Sequence, residues 1–266
     1  MVEGIPFVVV SCDAYRDVWL PFFHCFFKYW PDCPLPVYLG SNERTFVDPR
    51  VRPLMVGVDG GFGANTLAIL TRLKSEWLVT CNEDILLDRR LDTQLVIGII
   101  ERGLRANAGC LKLITTPPMA AVRERNDLVG EVPAGSPYRV SFSLNLWRKE
   151  VLLALLRQTE SAWDFERRGN RRADQMKESF LALDWRLARN PPIPFVHGII
   201  KGRWTSAAVR LLKREGLVEC LKGRPRQALS SGVYASLYVR LFRLRWVWEV
   251  RRQCEGVLRA AKGQAA

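Results

Sequence analysis

Apolar and polar positions fall in blocks along this chain, and the period of the blocks changes from one to the next. Phe7-Val8-Val9-Val10-Ser11-Cys12 is a continuous apolar run that stops at Asp13-Ala14-Tyr15, the pattern of a strand buried on both faces. Residues 19–30 are dense in aromatics (Phe22, Phe23, Phe26, Phe27, Tyr29) and predict a helix packed on a sheet, closed by Pro31-Asp32-Cys33-Pro34. Residues 37–40 and 51–58 predict two further strands. Gly60-Gly61-Phe62-Gly63 predicts a loop, and residues 65–74 a helix. Residues 77–81 form another buried-type strand, which ends abruptly in Asn82-Glu83-Asp84.

The second half is less regular. An apolar helix is expected from residue 92 to about 105, a strand over 110–114 and a long loop over 117–137. Residues 138–147 alternate as a strand does, and 148–157 read as a helix. Trp163-Asp164-Phe165-Glu166 opens a polar helix that leads toward Asp184-Trp185. Pro191-Pro192-Ile193-Pro194 then breaks the chain ahead of Phe195-Val196-His197-Gly198, and two more helices are expected over 206–215 and 233–258. Strands alternating with helices in this order predict an α/β fold, a mainly parallel central sheet flanked by helices.

Composition adds four points. The chain has 266 residues, 48% of them hydrophobic, enough for one sizeable core. Its seven cysteines are odd in number and lack paired ligand spacing, which argues against a disulfide framework or a zinc site and for a reducing compartment. The N-terminus shows neither a basic n-region nor a long enough apolar run for a signal peptide, and no segment approaches the length of a membrane span. A cytoplasmic protein is the expectation. Charge is the unusual feature: residues 201–266 hold 15 Lys or Arg against four Glu, a net +11 of the chain's +13. The first 200 residues are nearly neutral, so the basic excess points to a binding surface at one end.

Three groups of residues suit chemistry together. Glu83 and Asp84 end a buried strand, where open α/β sheets bind ligands, and their carboxylates suit a divalent cation that also holds phosphate oxygens. His197 is one of two histidines and stands near Lys201 in His197-Gly198-Ile199-Ile200-Lys201-Gly202. An imidazole beside a carboxylate can hold Mn²⁺ or Mg²⁺, and the Lys201 ammonium would neutralise charge on a leaving diphosphate. The third group is Trp163, Asp164 and Glu166. The two acids point in different directions on a helix, so one of them suits a general base toward a hydroxyl, with Trp163 as an apolar face for a sugar ring. Acids here also suit the first turn of a helix.

The order of these parts resembles a GT-A glycosyltransferase, the nucleotide-sugar-dependent group found in capsule, O-antigen and lipopolysaccharide assembly. The resemblance covers roughly residues 5–204. It implies a GT-A-like, Rossmann-like catalytic domain over 1–204, with a basic, aromatic helical region over 205–266. In that group the first strand ends at residues that hold the nucleotide, here Ser11, Asp13 and Tyr15. An Asp-x-Asp-like motif holds the metal, here Glu83-Asp84 in the setting Asn82-Glu83-Asp84, with Asn82 and Glu83 also expected against the donor. The segment around Arg148 resembles the one that shapes the donor pocket. Trp163-Asp164 falls where inverting members place their base, with Glu166 as the alternative, and His197 with Lys201 is similar to a loop that binds metal and diphosphate. The implied reaction moves a sugar from a nucleotide-sugar donor, UDP-sugar favoured, to a hydroxyl of a glycan or lipid-linked glycan acceptor in bacterial surface polysaccharide synthesis. Glu83-Asp84 lacks the separated acids of a full Asp-x-Asp motif, and Trp-Asp stands in place of Glu-Asp.

Two other classes remain as alternatives. A sugar nucleotidyltransferase uses a similar sheet and metal, but Ser11-Cys12-Asp13-Ala14-Tyr15-Arg16 lacks the Gly-rich basic loop that holds a triphosphate. A nucleic-acid-binding protein would use the basic tail, yet no recognised binding signature is present, and no nucleic-acid partner is expected. The 233–248 stretch mixes aromatics with arginines and suits the headgroup boundary of an anionic membrane. The expected location is peripheral, on the inner face of the cytoplasmic membrane.

Overall fold

The structure is a computed structural model that describes Val2, residues 4–115 and residues 128–227. Most of the loop expected at 117–137 and the whole helix expected at 233–258 lie outside the described residues.

The apolar run at the start becomes β1 (Phe7–Val10), and a 3₁₀ turn at Asp13–Tyr15 leads into α1 (Arg16–Tyr29). β2 (Val37–Ser41), β3 (Val51–Met55), α2 (Gly61–Arg72) and β4 (Trp77–Asn82) follow as the pattern predicts. A short β5 (Ile85–Leu87) precedes α3 (Thr93–Arg105), whose N-cap Asp92 accepts from the Leu95 N–H at 3.1 Å. β6 (Cys110–Lys112), β7 (Val129–Glu131), β8 (Asn145–Arg148) and α4 (Lys149–Leu155) come next. The segment from 162 is one continuous helical stretch with a wide turn inside it: α5 (Ala162–Asp164), a π segment Phe165–Gly169, and α6 (Asn170–Ala173). That stretch stops early. β9 (Phe180–Leu183) is a strand where the sequence reads as continuing helix, since a four-residue apolar run has no period of its own. β10 (Phe195–His197), the hairpin β11 (Ile199–Ile200) and β12 (Arg203–Trp204), and α7 (Ser206–Arg214) complete the labelled elements.

Eight strands form one sheet in the order β3-β2-β1-β4-β8-β6-β9-β7. β3, β2, β1 and β4 are mutually parallel, as are β6 and β9, while β8 and β7 run against their neighbours. Side chains alternate faces along β1. Phe7 and Val9 join the core under α1 and α3, whereas Val8 and Val10 join the core under α2 and α4. Helices therefore cover both faces, and the fold is the α/β class with a mostly parallel sheet.

α7 and the 3₁₀ turn after it (Val218–Gly223) bury Ala208, Leu211, Leu212 and Leu221 in the same core as α1. The described residues after 204 thus share a core with those before it. Among the described residues, no helix is long and apolar enough to cross a membrane.

Candidate functional site

The strand order turns around between β1 and β4: the chain moves outward to β2 and β3 on one side, then returns to place β4 on the other. Loops diverge at such a point and leave a crevice beyond the carboxyl ends of the strands. Register puts Val10 opposite Asn82, so Ser11 and Glu83 leave the two strands side by side. The Ser11 hydroxyl lies near enough to the Glu83 carboxyl to pull it down, and it accepts from the Trp19 indole N–H at 2.8 Å.

Glu83 is only 8% exposed. Burial, and then the charge of Asp84, push its carboxyl up to about 8, against the pull of its own backbone N–H, of Ser11 and of Arg224. Asp84 is raised by burial as well, and the nearby His197 opposes that rise. The neighbours come from β10, which pairs antiparallel with β5 so that His197 faces Ile85. The Gly198 N–H donates to the Asp84 carbonyl at 2.6 Å, and a Cβ on Gly198 would sit 3.2 Å from that oxygen. Tyr15 feels the charges of both acids, and Cys12 that of Glu83. Ser11, Tyr15, Asn82, Glu83, Asp84 and His197 thus converge.

A second acidic position joins this one through Phe142. The Asn82 side-chain amide donates to the Phe142 carbonyl at 2.8 Å, and the Phe142 backbone lies near enough to the Glu166 carboxyl to pull it down. Glu166 is half-buried on the π segment, and burial raises its carboxyl. Asp164 sits differently. Its carboxylate closes a capping box with Ser161 and accepts from Arg167 at 2.9 Å, and these bonds hold it below the usual carboxylate range. Of the two candidate bases, Glu166 carries the raised carboxyl suited to taking a proton. Trp163, between Ser161 and Asp164, is 71% exposed.

The remaining predicted residues lie apart from the convergence or are otherwise engaged. Asp13 spends its carboxylate on the backbone N–H groups of Asn42 and Glu43, both at 3.1 Å, and so ties the end of β1 to the loop after β2. Lys201 and Gly202 have φ of +51° and +72°, the two left-handed residues of a tight hairpin turn between β11 and β12. Lys201 is exposed at that tip, three residues beyond Gly198. Arg148 is a correction. β8 is antiparallel to β4, so Arg148 pairs with Trp77 at the far edge of the sheet. There it contacts Asn107, Glu150 and Glu178, about 15 Å of strand from Asn82. A donor-binding role for Arg148 does not fit.

Two residues at the site were not anticipated. Arg224 grips Asp17 through two bonds (2.7 and 2.8 Å), donates to the Ala14 carbonyl and stacks on the Tyr15 ring at 4.2 Å. Its charge reaches Glu83. No local sequence signal marks it, because its partners are some 200 positions away. Lys112, at the carboxyl end of β6, is 1% exposed, and burial lowers its ammonium to about 8. The signal for Lys112 was present: a lysine inside the apolar run Cys110-Leu111-Lys112-Leu113-Ile114.

As a metal site the donors are few. Asp84 and His197 stand together, and among the described residues no group of three or more His, Cys, Asp or Glu is placed to hold an ion. Glu83 is the poorer donor, because burial keeps it protonated near neutrality. An open groove of ≈ 600 Å³ lies at the opposite end of the strands around Gly4, Lys74 and Trp77 and brings none of these residues together.

No family model matches the chain, and no curated protein matches it. Among solved structures it is similar to S. aureus TarS 1–349, at 9% identity and a TM-score of 0.46, over 73% of this chain and 59% of that one. The complex of TarS 1–349 with UDP-GlcNAc gives 10%, 0.45, 72% and 57%. HddC from Yersinia pseudotuberculosis gives 11%, 0.43, 67% and 89%. The chain spans less than two thirds of the TarS fragment it matches. At such scores the likeness is one of outline and says nothing about chemistry.

Proposed function

We propose that this chain is a glycosyltransferase that takes a sugar from a nucleotide-sugar donor and passes it to a hydroxyl of a glycan acceptor. One observation carries the reading: at the crevice between β1 and β4, Glu83, Asp84 and His197 meet, with Glu166 across Phe142. Ser11 and Tyr15 line the end of β1, where the nucleotide would lie, with a UDP-sugar the favoured donor. Glu166 takes the proton of the acceptor hydroxyl as its oxygen attacks the anomeric carbon. The C–O bond to the diphosphate breaks on the other side of that carbon. Lys201, at the hairpin tip, and Arg224, over Tyr15, would be the cations that meet the leaving charge. Trp163 offers its exposed ring to the acceptor sugar. Asp84 and His197 would hold Mn²⁺ or Mg²⁺, which takes its other positions from water and phosphate oxygens. When bound, the ion supplies Lewis-acid stabilisation of the diphosphate. The basic excess of residues 201–266 suits an anionic membrane surface that presents a lipid-linked acceptor, as in bacterial surface polysaccharide synthesis.

The test is thermal melting of the full chain with a panel of nucleoside diphosphates and nucleotide sugars, with and without Mn²⁺. One nucleotide should raise the midpoint, and Mn²⁺ should deepen the shift in wild type but not in Asp84→Asn. With that donor, Glu166→Gln should lower turnover by about 100-fold or more. Wild-type turnover in both variants would end this reading. Release of pyrophosphate from a nucleoside triphosphate and a sugar phosphate would reassign the site to nucleotidyl transfer.

A further inference from the structure

The helix that carries Glu166 is not regular, and one buried side chain accounts for its shape. Residues Phe165–Gly169 form a wide turn between α5 and α6, a rare form that recurs at functional sites. A side chain that enters the backbone ladder distorts a helix in this way, and Asn170 is that side chain. It is buried, and its Nδ2 reaches back to donate to the Glu166 carbonyl at 2.6 Å. Its Oδ1 accepts from the Val140 N–H, also at 2.6 Å. A carbonyl only accepts and a backbone N–H only donates, so the two partners fix which way the amide points. The turn and the 138–142 loop touch at a second place, where the Phe142 and Phe165 rings meet edge to face at 5.9 Å. At the end of β4, the Asn82 amide holds the Phe142 carbonyl at 2.8 Å.

We propose that Asn170 is a positioning residue of the candidate site, a role that rests on the reading of Glu166 as the base. Its amide holds the wide turn and the 138–142 loop in one register, and so sets the direction of Glu166 relative to the acids at the end of β4. The path of bonds is continuous. Asn82 stands one residue before Glu83 and holds Phe142; Val140, two residues before Phe142, is held by Asn170; and Asn170 holds the backbone of Glu166 itself. An amide gives one partner a donor and the other an acceptor. Leucine has nearly the same shape and offers neither, while an ionised aspartate keeps the acceptor for Val140 and turns an oxygen toward the Glu166 carbonyl. Without the Asn170 donor the turn can relax to the regular ladder, and the Glu166 side chain turns with it. Such a change matters to a base, since a misplacement of about 1 Å can cost on the order of 100-fold in rate.

Turnover, with the donor that the melting screen identifies, is measured in Asn170→Leu and Asn170→Asp, alone and together with Glu166→Gln. In both single variants kcat should fall about 10-fold or more while the donor KM stays within about twofold, the mark of a displaced reacting group and not of a lost binding site. Beside Glu166→Gln neither change should cost anything further, because Asn170 acts through Glu166. A second loss of equal size in that background, or wild-type kcat in the single variants, overturns the proposal. Deuterium exchange of the full chain reads the tie without turnover. Peptides over 138–142 and 165–170 should both exchange faster in Asn170→Leu, whereas 138–142 should keep near wild-type protection in Asn170→Asp, which retains the acceptor for Val140. Unchanged exchange in Asn170→Leu overturns the tie whatever turnover shows. If exchange responds as expected and Glu166→Gln alone turns over at the wild-type rate, the tie stands and the base assignment falls. Should Asn170→Leu fail to fold, Asn170→Asp carries the turnover cycle and Asn170→Ser the exchange.

Discussion

A single carboxyl at the end of β4 sets stability against function. Glu83 has an ordinary value of 4.5 and is pushed up to about 8 in the fold, chiefly by burial and by Asp84. Between those values the folded chain keeps a proton that the unfolded chain has released. Stability therefore falls as pH rises through that window, and the whole cost is present above 8. Glutamine keeps the shape and cannot ionise. Glu83→Gln should be more stable than wild type at pH 8.5, by on the order of a few kcal/mol at most, and nearly equal to it at pH 5. Urea midpoints at the two pH values decide this, and a variant no more stable at pH 8.5 refutes it. Such strain belongs where a site needs it. The placement of Glu83 and Asp84 was legible at this scale, because a buried-type strand that ends in acids must deliver them to the sheet edge. The sequence favours Asp164 over Glu166 as the base, yet Ser161-x-x-Asp164 is also the spacing of a capping box, and in the fold that box ties Asp164 to the helix end. The buried cation at Lys112 could be suspected from one lysine in an apolar run. Arg224 could not.

Among the elements, hydrophobic period foretold β1, α1, β4 and α3, while strand direction was hidden. β8 carries the same residue pattern whether it runs with β4 or against it. Only its insertion between β4 and β6 makes it antiparallel and sends Arg148 to the far edge. Short strands hid as well: β11 and β12 are two residues each and owe their pairing to the left-handed pair Lys201-Gly202. α7 was foreseen, but its anchor was not. Glu215, just past its end, accepts from Lys28 Nζ at 2.6 Å and Tyr29 OH at 2.5 Å and meets His24 at 3.2 Å, all three on α1. Burial raises this carboxyl, yet the bonds from Lys28, Tyr29, His24 and Arg214 outweigh it and hold it at about 2, against an ordinary 4.5. A depressed carboxyl contributes stability that is whole above 4.5 and is lost as pH falls toward 2. The denaturation midpoint should drop across that window, and Glu215→Gln should flatten the drop while costing on the order of 2 kcal/mol at pH 7. An unchanged slope in the variant would show that α7 is held by its apolar face alone.

Across the whole molecule, charge is sorted as clearly as secondary structure. Nearly all of the excess sits in residues 201–266, and its described part begins at the hairpin beside the site, with Lys201 and Arg203 exposed there and Arg226 bridged to Trp204. A basic face next to a crevice suits either of two ends: raising the local concentration of anions, or seating the molecule on an anionic surface. The two differ in how they answer salt and truncation. Surface seating draws about 1 kcal/mol from each basic residue near the headgroups and is screened over about 8 Å at physiological salt. Full-length protein should therefore sediment with phosphatidylserine vesicles at low salt, fail to sediment with phosphatidylcholine, and dissociate as salt is raised. A chain ended at residue 227 keeps Glu215, Arg224 and the α1 contacts that hold the described body together, and should melt cooperatively while losing most of that sedimentation. If it binds vesicles as well as the full chain does, the seat is the hairpin face and not the tail. If neither form binds vesicles but both hold an oligonucleotide in a salt-dependent way, the basic end is a nucleic-acid surface, and a lipid-linked acceptor loses its support.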